Sequence, residues 1–295
     1  FAWPHYDSLL TELNVLLPGN GDVTERYNTY ASQFIIPQEK LDTIFQTAIN
    51  EARKRTNAYV ELPPNESFKI EYVTNKPWSG YNWYKGNAFS LIQLNTDLPI
   101  PIERAIDLAS HEGYPGHHVF NVLIEKNLVN DRSWIEYSIY PLFSPQSLIA
   151  EGSANYGIEI AFPIEERLAY EKEILWPLAG LPASEVERYY EIQEIRSKLS
   201  YACNDIARSY FRGTIDSDEA IAQMMKYLMY SKERASQSLD FVKRYRSYII
   251  NYNYGKDIVR NWVTDQLGEN ISEENRWKVF SELLSFPQTA SQLIQ

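Results

Sequence analysis

One cysteine, Cys203, stands in a chain of 295 residues. That excludes an intrachain disulfide framework and a cysteine-based zinc module, and it fits a reducing compartment. No apolar run approaches the ~18 residues of a membrane span; the strongest, such as Val119 to Ile124, are short and end in charge. Basic side chains are outnumbered, 28 against 39 acidic, for a net charge of −11. Nucleic-acid binding needs the opposite balance, so neither a nucleic acid nor a membrane is expected as a partner. Gly/Ser tracts, charge blocks, low-complexity runs and fixed-period repeats are missing too, and a single domain over 1–295 is the expectation. The chain opens Phe-Ala-Trp-Pro, with no initiator Met and no signal-peptide pattern. A removed leader is compatible with that start, and localisation is left open with the cytoplasm favoured.

What is present is a large apolar and aromatic content. Forty-four per cent of residues are hydrophobic, with 7 Trp, 22 Tyr and 12 Phe. A chain of this length and composition buries a sizeable core. Most of it has helical periodicity. Pro37 to Thr56 places Leu41, Ile44, Phe45, Ala48 and Ile49 on one face. Ser184 to Phe211 reads as one long helix. Asp216 to Tyr230 starts with a capping Asp, and Ser231 to Ile250, Lys256 to Leu267 and Ser272 to Ser285 complete a helical C-terminal half. Strand-like alternation is confined to about 68–95, where Lys85-Gly86-Asn87 separates two short strands as in a hairpin. The expected fold is mainly α with a small antiparallel β-sheet.

Three of the four histidines fall within eight residues, His111-Glu112-Gly-Tyr-Pro-Gly-His117-His118. A zinc hydrolase needs two or three neutral imidazoles, usually a carboxylate ligand, and an acid/base carboxylate nearby. The usual short motif sets two His four apart on a helix with Glu after the first. Here the second His is six or seven positions on, roughly 9–10.5 Å of rise in an unbroken helix. Pro115 and Gly116 argue that the helix is distorted, because Pro115 cannot donate to the carbonyl of His111 and Gly116 tolerates unusual backbone angles. Helical phase then favours His118 as the second ligand and reach favours His117; both stay open. A third ligand should come from another helix. Glu151, set among Ala150, Gly152, Ser153 and Ala154, is the candidate, since small residues let two helices approach closely.

These residues carry a resemblance. His111-Glu-Gly-Tyr-Pro-Gly-His-His118 followed by Glu151-Gly-Ser-Ala-Asn-Tyr156 resembles the domain-of-unknown-function 885 family, whose motifs run His-Glu-Ala-Tyr-Pro-Gly-His-His and Glu-Gly-Trp-Ala-x-Tyr. The chain departs at Gly113, where the family has Ala, and at Ser153, where it has Trp. Weaker similarity covers Asp218-Glu-Ala-Ile221, Arg244-Tyr245 and Tyr252-Asn-Tyr-Gly255, so the likeness extends from about Trp78 to the C-terminus. The family is similar to the helical gluzincin peptidases of the thermostable (Taq) carboxypeptidase group. The resemblance implies a long-helix fold with a central cleft and motif helices at about 101–129 and 145–161. It implies one Zn²⁺ held by His111, His117 or His118, and Glu151. The implied reaction is peptide-bond hydrolysis, carboxypeptidase-like in kind, by metal-activated water with Glu112 as general base, on a peptide or small amide. It makes Tyr252 a candidate oxyanion donor and Arg244 a candidate partner for a substrate carboxylate.

Three further expectations concern the surroundings. Phe89 to Asn95 is a candidate sheet edge for an extended peptide. Asp107 and Glu159 are candidate partners for fixing the histidine tautomers. Two other functions use the same residues: an iron or manganese enzyme with non-hydrolytic chemistry, and an inactive peptide-binding module on a peptidase scaffold. Retention of Glu112 beside a ligand favours hydrolysis over both.

Overall fold

Local capping decides where the C-terminal helices start. The side chain of Asp216 accepts from the backbone N–H of Glu219, Ser231 from Arg234, and Ser272 from Asn275, each satisfying a donor that the first helical turn leaves open. The computed structural model describes residues 3–294, over which the chain is mainly helical with one three-stranded sheet. Among the described residues, no helix is long and apolar enough to cross a membrane.

The sequence reading treated 1–295 as one domain; the chain forms two compact units. One comprises the residues up to Pro37 together with Leu168–Ile249, and the other Gln38–Arg167 together with the residues from Ile250 onward. The first unit is helical. Its core is aromatic, with Phe34, Trp176 and Tyr189 fully buried and their ring centroids 5.0–5.5 Å apart. Its buried Glu171 accepts from Trp176 Nε1 (3.1 Å) and from the Tyr190 hydroxyl. The single helix expected over Ser184 to Phe211 is two, Val186–Leu199 and Ala202–Phe211. The Ser200 hydroxyl donates back to the carbonyl of Ser197 (2.6 Å), a local bond that competes with continuation of the helix.

The second unit carries the motif residues. Its first long helix, α1 (Leu41–Asn57), buries Ile44, Phe45, Ala48 and Ile49, the face foreseen from periodicity. Three strands follow: β1 (Ser67–Val73), β2 (Gly80–Tyr84) and β3 (Phe89–Asn95). β2 and β3 pair antiparallel as a hairpin, with Asn82 opposite Ile92. β1, however, runs parallel to β3, with Phe68 opposite Ser90, so the sheet is mixed rather than antiparallel. Its order is β1-β3-β2. A tight turn after β1 would have paired it with β2. Residues 74–79 instead cross about two strand spacings, roughly 9.5 Å, and leave room for β3 between them. The expectation that Phe89 to Asn95 forms an edge is therefore corrected: β3 is the central strand, paired on both sides. Its inward face is Ser90, Ile92 and Leu94, all buried.

The motif helix is broken. α2 (Glu103–Leu108) passes into a π-turn, Ala109–Gly113, and α3 (His117–Ile124) starts afresh. Tyr114 between them is extended, and the Tyr114–Pro115 peptide is cis. α4 (Gln146–Ala161) carries Glu151. α5 (Tyr254–Leu267) and α6 (Glu273–Ser285) close the unit. A Cβ placed on Gly152 of α4 would overlap the carbonyl oxygen of Gly255 on α5. The two helix backbones touch there, which is what the small residues around Glu151 permit.

Candidate metal centre

The break in the motif helix decides which histidine joins His111. The Gly116 N–H donates to the Ser110 carbonyl (2.9 Å), and a Cβ on Gly116 would overlap the His111 carbonyl oxygen. Glycine lets the chain fold back onto the turn it has just left, and this returns His117 to His111. Their rings meet edge to face, centroids 4.7 Å apart. Glu151 reaches in from α4. Its Oε2 lies 3.3 Å from His111 Nε2 and its Oε1 lies 3.3 Å from His117 Nε2. Single ligand atoms of His111, Glu112 and His117 all lie within 4.8 Å of one another.

His118 faces elsewhere. It is fully buried, with Nδ1 2.7 Å from Ser90 Oγ and Nε2 2.8 Å from Glu66 Oε1. With both ring nitrogens engaged, it has no lone pair to offer a metal. Of the two histidines left open by the sequence, His117 is the one placed with His111 and Glu151, and His118 as a ligand is corrected. Helical phase had favoured His118, and the phase is lost at Pro115-Gly116.

The donor set fits a divalent cation. Zinc bonds to nitrogen and carboxylate oxygen are about 2.0–2.2 Å, so neighbouring ligand atoms of a tetrahedral site stand roughly 3.3–3.5 Å apart. Each histidine Nε2 stands about that far from one carboxylate oxygen of Glu151, His111 from Oε2 and His117 from Oε1. The tautomer of His111 points the same way. Asn155 donates through Nδ2 to the Tyr252 carbonyl (3.0 Å), which can only accept. Its Oδ1 therefore faces His111 Nδ1 (3.2 Å), and Nδ1 must carry the proton. Nε2, turned to the Glu151 carboxylate, donates to it when the ring is protonated and offers a lone pair to a metal when the ring is neutral. The side chains of His111 and His117 keep 13% and 14% exposure against 0% for His118, so the pair is reachable from solvent.

Electrostatics separate the two glutamates. Burial pushes Glu112 upward from its ordinary value, only partly offset by His111 and His117. Burial pushes Glu151 upward as well, but the charge of His117 and hydrogen bonds from both histidines outweigh it and hold this carboxyl well below the usual range. His117 is pulled down by burial and raised further by Glu151 and Glu112, for a net upward shift. Glu151 is thus anionic at the centre, and Glu112 holds a proton more readily than an ordinary Glu, as an acid/base group needs. A Cβ on Gly80 of β2 would stand 2.8 Å from Glu112 Oε1, so a bare stretch of backbone lies against this carboxylate.

The remaining predicted residues fall differently. Tyr252 serves His111 through its backbone carbonyl, by way of Asn155, and its side chain is 38% exposed. Arg244 lies in the last turn of Lys232–Tyr245, in the other unit. Asp107 pairs with Arg167 (2.9 Å), and Glu159 with Lys256 and Arg260 (both 2.7 Å). The tautomer-fixing role expected of those two carboxylates is taken, for His111, by Asn155. The sequence reading passed over Asn155, although it sits four residues after Glu151, one turn along the same helix face.

Neither a family model nor a curated protein matches the chain. Two solved structures do share its fold, both of putative lipoproteins. One, from Colwellia psychrerythraea, is 14% identical over 96% of this chain and 50% of its own, with a TM-score of 0.66. The other, of unknown function from Shewanella oneidensis, is 14% identical over 99% of this chain and 54% of its own, with a TM-score of 0.65. The chain spans about half the length of each. At such identity the likeness concerns the fold alone.

Proposed function

We propose that the chain is a zinc-dependent metallopeptidase of the kind implied by its resemblance to the domain-of-unknown-function 885 family. The observation that carries this reading is the convergence of His111 and His117 on the two oxygens of Glu151, each at 3.3 Å, beside the buried Glu112, whose carboxyl is pushed upward from its ordinary value. His111 Nε2, His117 Nε2 and the Glu151 carboxylate would hold the ion. When bound, zinc supplies Lewis-acid polarisation of a substrate carbonyl and of water. The chain's own part is proton handling and orientation. Glu112 accepts a proton from the attacking water and delivers it to the leaving amine. Asn155 holds His111 in the metal-binding tautomer. The substrate class is a peptide or small amide.

The test is zinc content and cleavage of a peptide library read by mass spectrometry. Glu112→Gln should keep stoichiometric zinc and lose about 10²–10⁴-fold in hydrolysis. Absence of stoichiometric zinc in the unmutated protein offered the ion would overturn the reading. So would full hydrolytic activity in Glu112→Gln. Cuts confined to one end of each peptide would make it an exopeptidase, and internal cuts an endopeptidase.

A further inference from the structure

A hydrogen-bond chain runs from the motif turn through the sheet and back to the motif. The carbonyl of Glu112, next to the ligand His111, accepts from Asn82 Nδ2 on β2 (2.7 Å). This carbonyl sits at the end of a turn, where helix carbonyls lose their intrahelical partners, and Asn82 satisfies it from another element. With Nδ2 fixed there, Asn82 Oδ1 faces Ser90 on β3 and accepts from its hydroxyl (3.2 Å). Ser90 Oγ in turn lies 2.7 Å from His118 Nδ1. His118, next to the ligand His117, donates through Nε2 to Glu66 (2.8 Å). Glu66 is anchored by Arg53 (2.6 Å) and by the hydroxyl of Tyr114. Ser90 and His118 are fully buried.

The two ends of this chain lie one residue from each of the two metal-binding histidines, on opposite sides of the Pro115 break. We propose that the Asn82–Ser90–His118 series, anchored on Glu66, sets the spacing of His111 and His117, and that Asn82 and Ser90 are positioning residues of the centre. The helix that would otherwise fix this spacing is interrupted between them. The series bridges the interruption through a sheet that contributes no ligand. The inference deepens the proposed metal site and rests on that reading for the identity of the ligands.

Its test uses the full chain with selectively labelled histidine, of which there are four. In the metal-free protein, ring-to-ring NMR contact between His111 and His117 should be strong. It should be lost or weakened in Ser90→Ala and in Asn82→Leu and restored in Ser90→Thr, which returns the hydroxyl. Cooperative thermal unfolding of each variant checks that the fold persists. Zinc affinity, measured by chelator competition, should fall about 10–100-fold in Ser90→Ala, and the cobalt-substituted absorption spectrum should shift. Unchanged ring contact in both Ser90→Ala and Asn82→Leu would overturn the inference, as would failure to see the contact in the unmutated protein. The NMR result decides the point without metal. A protein that shows the expected ring contacts but takes up no zinc would sink the proposed function and leave the positioning role standing.

Discussion

His117 and His118 are joined by one peptide bond, and each meets a glutamate, yet their surroundings differ in every other respect. His117 is partly open, shares Glu151 with a second imidazole, and has nearby the Glu112 carboxyl, which burial pushes upward from its ordinary value. His118 is sealed, and its glutamate is also held by the Arg53 guanidinium and the Tyr114 hydroxyl. A histidine whose nitrogens are both satisfied within the protein stabilises structure. One that shares a carboxylate with another histidine and stays partly open is the kind the proposed metal centre needs. Identity of residue type tells nothing of this; the difference lies in how many partners the fold supplies.

The comparison can be broken most sharply by exchanging the two roles. His117→Ala should abolish stoichiometric zinc binding, measured by metal emission, while the urea unfolding midpoint of the metal-free protein falls less than in His118→Ala. His118→Ala should do the reverse and strike the fold, since it leaves Glu66 buried with a partner removed. Stripping a hydrogen-bond partner from a buried polar group costs about 1–3 kcal/mol, and the vacated ring leaves a cavity, together visible as a clear fall in that midpoint. Equal loss of stability in the two variants would erase the distinction. A smaller effect is expected at Asn155. Asn155→Leu removes the acceptor that fixes His111 and should weaken zinc about 10–100-fold by chelator competition.

The smallest expected effect is on acid stability. Burial raises Glu66, but hydrogen bonds from His118, Tyr114 and Arg53 outweigh it, and its net shift is downward from 4.5. A carboxyl depressed in the folded state contributes stability above its unfolded value, and that contribution is lost as pH falls through the folded one. Urea midpoints followed downward from pH 4.5 should therefore drop more steeply in the parent than in Glu66→Gln. Parallel curves would show that Glu66 gains nothing from its partners.

The sequence was informative where chemistry is local. The Asp216 cap marked the start of one C-terminal helix, the clustering of His111, Glu112 and His117 pointed to residues that converge, and Glu151 joined them through its small neighbours and the family resemblance. Pro115 and Gly116 announced a break but not its direction, because the return of His117 depends on Gly116 packing against the His111 carbonyl. Ser90, Asn82 and Glu66 were invisible for a different reason. Each is an ordinary polar residue until the sheet brings it to His118 or Glu112, and no local pattern encodes that meeting. A serine alternating with Ile92 and Leu94 on an inward face was the one available hint. The pairing of β1 failed likewise, since a strand's partner across a loop is set by what packs between them.

The contact between Gly152 and Gly255 has a consequence for dissection. The unit containing the histidines is discontinuous, and its final segment, from Ile250, returns after a long excursion to lay α5 against the back of α4. That segment also supplies the Tyr252 carbonyl that orients Asn155. A truncation after Ile249 would keep every candidate ligand in the sequence and remove the wall behind Glu151. Fragments meant to isolate this centre should carry both stretches, Gln38–Arg167 and the residues from Ile250 onward.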